Sequence, residues 1–278
     1  MNYEVVYPRS SIERKPLLVH VPHSATYIPE SYRDQICLDD TDLSTELLAM
    51  TDRFTDQLFT PARSCGATLF LNKVSRLVMD PERFPDDQTE AMAAKGMGAV
   101  YVSTSDGRRL RAASFSSRDR HSVMHDLYWP YSNALQDVVA AQLDQFEMCL
   151  LIDAHSFPSQ ALAYEDKNLA RPDICFGYDA FHAPKELIGI LEIVCKQEGL
   201  TIAHNQPFSG SYVPTCYYHQ ERRVKSLMIE VNRSLYMDET IGTYSADYDQ
   251  LAQVLKTAHT ANWALWGPRL IICRIEPI

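Results

Sequence analysis

Residues 151–159 read LIDAHSFPS: with Leu150 before them, an apolar run that stops on an acid, a histidine and a serine. A short apolar run bounded by polar residues predicts a buried strand. Residues 17–25, LLVHVPHSA, have the same shape and end on Pro22, His23 and Ser24. Outward from these two, short runs rich in branched residues predict strands at 16–22, 67–71, 149–153, 174–178, 226–231 and 269–274. Between them lie helical patterns. DLSTELLAMTDRFTDQLF, 42–59, puts Leu43, Leu47, Met50, Phe54 and Leu58 at helical spacing, and 131–146, 184–198 and 244–265 repeat it. Strands alternating with helices predict an α/β sandwich on a largely parallel sheet. In such folds ligands gather at the carboxyl ends of strands, where both opening stretches place a histidine.

No repeat or low-complexity linker divides the chain, so one domain over residues 1–278 is expected. Residues 84–122 are the loosest part and read as an excursion from it. VYVSTSDGRRLR, 100–111, predicts a hairpin turning at Asp106-Gly107.

The 278 residues are 46% hydrophobic, enough for a large core, and carry a formal net charge of -10 with no long Lys/Arg block. A general nucleic-acid binder needs a basic face, so that class is excluded, and an anionic ligand has to be met by a few placed arginines. No stretch approaches the length of a membrane span, and residues 1–16 lack the pattern of a signal peptide. The seven cysteines are scattered without a CxxC pair, which argues against a disulfide framework and a cysteine zinc cage. A reducing cytoplasm is the expected setting; the oligomeric state is not legible.

Two strand-end histidines, His23 and His155, suggest a shared metal, since imidazole is a common zinc ligand and catalytic zinc keeps three protein ligands plus water. Asp153 shares a side of the extended chain with His155 and can hold its ring. Asp42, Glu46, Asp52 and Asp56 are all open as the third ligand; Asp52 and Asp56 are neighbours if the helix is continuous. Glu230 ends the apolar run of SLMIEVNRSLY, 226–236. Burying it is costly without a role or a partner. It is either a general base beside a metal or a pair for Arg233. NKVSRLVMDPERF, 72–84, supplies Arg76, Asp80 and Arg83 for an anionic substrate or an oxyanion, or for a structural Arg–Asp pair. NQPFSGSYVPTCYY, 205–218, suits a substrate wall.

The ordered set VPHSA, TDRFTDQLF, SRLVMDPER, IDAHS, PFSGSY and IEVNRSLYMDE resembles the N-formylglutamate amidohydrolase family, from residue 17 to about 240. The resemblance implies a mixed sheet flanked by helices, similar to zinc carboxypeptidases and aspartoacylase. It implies zinc-dependent cleavage of N-formyl-L-glutamate to formate and L-glutamate, late in histidine breakdown. His23, His155 and Asp52 match the implied metal ligands, with Glu46 the alternative third ligand. Glu230 matches the general base, and Arg76 stands beside it as a catalytic group. Arg76, Asp80 and Arg83 match a substrate-binding segment; Ser156, Asn205, Gly210 and Tyr212 belong to motifs that would line the substrate. Many members resemble GGYITRHYG where this chain has GSYVPTCYY, so Thr215 and Cys216 replace an arginine and a histidine; Ser132 follows Pro130-Tyr131 where a histidine is common. These departures leave the exact acyl substrate open. The alternatives are a deacylase or amidase for another acidic N-acyl amino acid or small peptide, and a non-catalytic binder of a small anionic ligand built on Arg76 and Arg83. Two histidines and a carboxylate can also hold other divalent metals.

Overall fold

Seven strands form one sheet in a computed structural model that describes residues 1–255. They are β1 (Tyr3–Val6), β2 (Leu17–Val21), β3 (Thr68–Asn72), β4 (Cys149–Phe157), β5 (Ile174–Gly177), β6 (Ile202–His204) and β7 (Val224–Asn232). Their spatial order is β1-β3-β2-β4-β7-β5-β6. β3, β2, β4 and β7 run parallel, β1 and β5 lie antiparallel to β3 and β7, and β6 is parallel to β5. The sheet is therefore mixed and largely parallel. β2 and β4 are buried along their whole length, so they read as nearly unbroken apolar runs.

The helices are α1 (Glu30–Arg33), α2 (Asp40–Met50), α3 (Thr55–Phe59), α4 (Ser117–Val123), α5 (Trp129–Phe146) and α6 (Lys185–Gln197). Strand alternation sorts side chains between two cores. Leu17, Val19, Leu150 and Ile152 pack with Leu58 of α3 and Leu187 of α6. Leu18, Cys149 and Leu151 pack with Met50 of α2 and with Tyr131 and Leu135 of α5. Asp153 and His155 follow Leu151 at intervals of two and share the α5 face. The β4–β7 register pairs His155 with Glu230, so this carboxylate lies beside the imidazole on the same face.

The helix expected over 42–59 is broken. α2 stops at Met50, Thr51 is extended, Phe54 takes a left-handed φ of 69°, and α3 starts at Thr55. α2 belongs to one core and α3 to the other, so the break carries the chain across the sheet edge. Asp52 lies in that crossing, and Asp52 and Asp56 do not share a helix face. The strand expected at 149–153 continues to Phe157, because Asp153, His155 and Ser156 all find polar partners. β1 escapes a hydrophobicity reading as a half-exposed edge, and β6 as a three-residue strand. At 100–111 a tight turn forms at Asp106-Gly107 with an isolated Ser103–Arg109 bridge in place of two strands. Residues 248–255 are helical; the rest of the expected 244–265 helix and the 269–274 strand lie outside the described residues.

Candidate active site

Five segments meet at the carboxyl edge of β2, β4 and β7. After β2, a turn places His23 at the rim, held by Asn72 Nδ2 donating to the Pro22 carbonyl at 2.8 Å. The Asp52 amide donates to the His23 carbonyl at 3.0 Å, which ties the helix break to this turn. β4 brings His155, and β7 brings Glu230. The chain after β3 supplies Arg76, Asp80, Glu82 and Arg83.

His23 Nδ1 and His155 Nδ1 face each other at 3.3 Å. Asp52 Oδ2 lies 3.1 Å from the His155 nitrogen and 3.7 Å from that of His23. All three side chains are buried. Their outer nitrogens meet carboxylates: His23 Nε2 lies 2.8 Å from Asp80 Oδ1, and His155 Nε2 lies 3.2 Å from both Asp153 Oδ1 and Glu82 Oε2. In a neutral ring the outer carboxylate favours the Nε2–H tautomer, which turns the Nδ1 lone pair inward, the form an ion between the two rings would select. Two lone pairs and a carboxylate oxygen aimed at one point repel unless a cation lies between them.

Five acids, Asp52, Asp80, Glu82, Asp153 and Glu230, gather around three arginines, Arg76, Arg83 and Arg233, an excess of acidic groups that suits a cation. Two imidazoles and a carboxylate, each imidazole oriented by a further carboxylate, form a donor set that fits zinc. Two other groups of metal-ligating type, His20–Glu82–Asp153 and His23–Asp80–Glu82, occur among the described residues. Their ring nitrogens are already engaged: His20 Nδ1 with Asp153 at 3.0 Å, His20 Nε2 with the Tyr131 hydroxyl at 2.6 Å, and His23 Nε2 with Asp80.

The titration behaviour has the same origin. Burial opposes the charged form of His155, but the Glu82 and Asp153 carboxylates outweigh it and raise its pKa well above the ordinary value. Burial and Arg76 oppose charge on His23, and Asp80 and Asp52 reverse the balance and raise it. Burial works against an ionised Asp52, yet whenever no ion lies between the rings the protonated His155 and His23 donate to it, and these bonds with the Arg233 charge hold its carboxyl well below the usual range. Glu230 is different: burial pushes its pKa up to about 7, with His155 opposing and Asp52 adding to the rise. Its Oε2 has no hydrogen-bond partner. Arg233, the alternative partner, is spent elsewhere, donating to Asp52 Oδ1 at 3.0 Å, the Ala49 carbonyl at 2.6 Å and Ser156 Oγ at 3.2 Å.

A cavity of about 470 Å³ opens onto this centre, and His23, Asp52, His155, Glu230, Arg76 and Arg83 line it together with Ser156. Other expected residues stand elsewhere. Glu46 does not join the His23–Asp52–His155 group: its carboxylate accepts from the Ser105 amide at 2.6 Å and the Ser105 hydroxyl at 2.9 Å. Asp80 is fully buried behind His23, where it also accepts from Arg76 Nη2 at 2.9 Å and the Tyr101 hydroxyl at 2.6 Å, and it does not line the cavity. Its carboxylate thus faces His23, Arg76 and Tyr101. Asn205 is a loop brace, its Oδ1 accepting from the Tyr178 and Gly210 amides at 2.9 and 3.1 Å. Gly210, Tyr212 and Thr215 line a second, adjoining cavity. Cys216 is exposed, and Ser132 is buried on α5, where its hydroxyl accepts from Gln136. Glu82, His20, Tyr131 and the Asp52–Arg233 pair escape the sequence reading. Glu82 follows Asp80 by two residues without a periodic signal, and the other contacts span distant segments.

Replacing Asp80 by asparagine should weaken metal binding 10–100-fold, on the order expected for an outer partner of a metal-ligating histidine. Titration against a metal buffer measures it, and unchanged affinity would mean that Asp80 does not hold the ring.

The model of the N-formylglutamate amidohydrolase family matches residues 15–237. The N-formylglutamate deformylase of Pseudomonas putida is 27% identical over 259 residues, covering 91% of this chain and 94% of that protein. The enzyme of the same name from Pseudomonas aeruginosa is 28% identical over 263 residues, with the same coverage of both chains. The crystal structure of an N-formylglutamate amidohydrolase from Ralstonia eutropha superposes with a TM-score of 0.82 at 22% identity, over 94% of this chain and 96% of the other. The match over most of its length shows that this chain belongs to the N-formylglutamate amidohydrolase family.

Proposed function

We propose that this chain hydrolyses the amide bond of N-formyl amino acids, N-formyl-L-glutamate among them, with a divalent ion, zinc by preference, held by His23, Asp52 and His155. The observation that carries the reading is the convergence of two imidazole Nδ1 atoms and a carboxylate oxygen beside a buried Glu230 whose Oε2 has no hydrogen-bond partner. The names of the Pseudomonas relatives supply the formylated glutamate. An ion in that position supplies Lewis acidity towards the carbonyl oxygen and makes water more acidic.

Glu230 acts as the general base. Its carboxylate takes a proton from the attacking water, whose oxygen bonds to the formyl carbon, and passes the proton to the amide nitrogen as the C–N bond breaks. Formate and the free amine result. A base whose pKa lies near neutrality suits both transfers. Arg76, fixed by Asp80 and Tyr101, faces the negative charge that develops on the carbonyl oxygen. Arg83 lines the cavity, its buried Nε 3.7 Å from Asp80 Oδ2, and it takes the substrate carboxylate together with Arg76. Tyr164 and Met92 are part of the cavity wall.

Formate release from N-formyl-L-glutamate by the purified protein, before and after chelation, tests the reading. Activity should vanish with the metal and return with stoichiometric zinc; undiminished rates in metal-stripped protein would remove the ion from the mechanism. Arg83→Ala should raise KM about tenfold or more, the scale of a lost charged hydrogen bond, with kcat changed far less. Steady-state kinetics separates the two, and an unchanged KM would place the carboxylate elsewhere.

A further inference from the structure

The second cavity, about 280 Å³, shares Glu82, Arg83, Ser209 and Met228 with the first, so the two are lobes of one depression that meet at Arg83. Its walls are aromatic and apolar: Tyr128, Tyr212, Tyr218 and Phe84 with Val213 and Met228. Thr215, exposed on its rim, is neutral. Arg83 is the single cation among the described residues that line it. Three acids line it as well. Glu82 faces His155, Asp153 is engaged by His20 and the Tyr212 amide, and Glu90 accepts from the Phe84 and Met92 amides at 3.0 and 2.8 Å.

We infer that this second lobe is the subsite for the amino-acid side chain and that it selects uncharged, large side chains, aromatic rings included. The inference rests on the proposed hydrolysis and names its substrate class. A carboxylate on Arg83 places the neighbouring carbon at the junction, and the substituent on that carbon within reach of the second lobe. With Arg83 so used, a second carboxylate entering the lobe meets no cation, only Glu82, Glu90 and Asp153. Like charges in a partly dehydrated space repel, whereas a ring gains contact with Tyr212 and Tyr218. The volume leaves room for a phenyl or thioether side chain.

The test compares kcat/KM for N-formyl derivatives of L-glutamate, L-methionine and L-phenylalanine with the metal-loaded protein. The two neutral substrates should be hydrolysed at least as efficiently as the glutamate derivative; a preference for glutamate over both overturns the inference. Thr215→Arg, a change at an exposed position of that lobe, should raise the ratio of kcat/KM for the glutamate derivative to that for the phenylalanine derivative about tenfold through one new charged hydrogen bond. No gain in that ratio would mean that the side chain lies elsewhere. If the parent protein hydrolyses none of the three, the proposed activity falls, and calorimetry with metal-loaded Glu230→Gln protein decides the subsite separately. Tighter binding of the phenylalanine derivative than of the glutamate derivative upholds it; the reverse order, or no binding, overturns it.

Discussion

Glu230→Gln protein should carry a full complement of metal and turn over on the order of 10²–10⁴ times more slowly than the parent. Glutamine has nearly the shape of glutamate, so the packing of β7 against β4 survives the change. The amide cannot accept a proton from water and return it to nitrogen. Glu230 contributes no ligand atom to the His23–Asp52–His155 centre, so metal content should not move. Its Oε2 makes no hydrogen bond, so none is lost with the charge. Folding stability should hold or rise, because a buried ionisable group without a partner costs free energy. Elemental analysis and formate release on one preparation check both halves. Parental turnover by the glutamine protein would remove Glu230 from the proton transfers.

His155→Ala should lose metal and activity together and be less stable than the parent by about 3 kcal/mol, the scale of a broken buried charge pair. One ring serves two sides of the site. Its Nδ1 meets Asp52 Oδ2 at 3.1 Å, and its Nε2 lies 3.2 Å from both Asp153 and Glu82. Removing it takes away a ligand and leaves Glu82 and Asp153 each short of a partner at a buried position. Zinc content, formate release and chemical denaturation read the three consequences separately. If the alanine protein kept one equivalent of zinc at parental affinity, the ligand set would be wrong.

Much of the site is legible in the chain because strand ends advertise themselves. LLVHVPH and LLIDAHS are apolar runs that terminate in chemistry, and in a parallel sheet such ends cluster on one rim. Glu230 is conspicuous for the same reason. Asp52 is less so: its surroundings fit an amphipathic helix, and nothing local announces that Phe54 will turn left-handed and break it. Glu46, on the buried side of α2, looks as good a ligand, and only the fold shows that Ser105 occupies its carboxylate.

The alternation of apolar and amphipathic runs, a short-range property, is enough to predict an α/β sandwich and to single out His23 and His155 at the rim of its sheet. The partners of those residues depend on contacts between segments far apart in the chain. Asp80 turns its carboxylate to the back of His23, Arg233 chooses Asp52 over Glu230, and His20, itself held by the Tyr131 hydroxyl, braces Asp153 on the same face of the sheet. Folding alone decides these pairings, because a buried charge is stable only against whichever group the packed elements bring within hydrogen-bond distance.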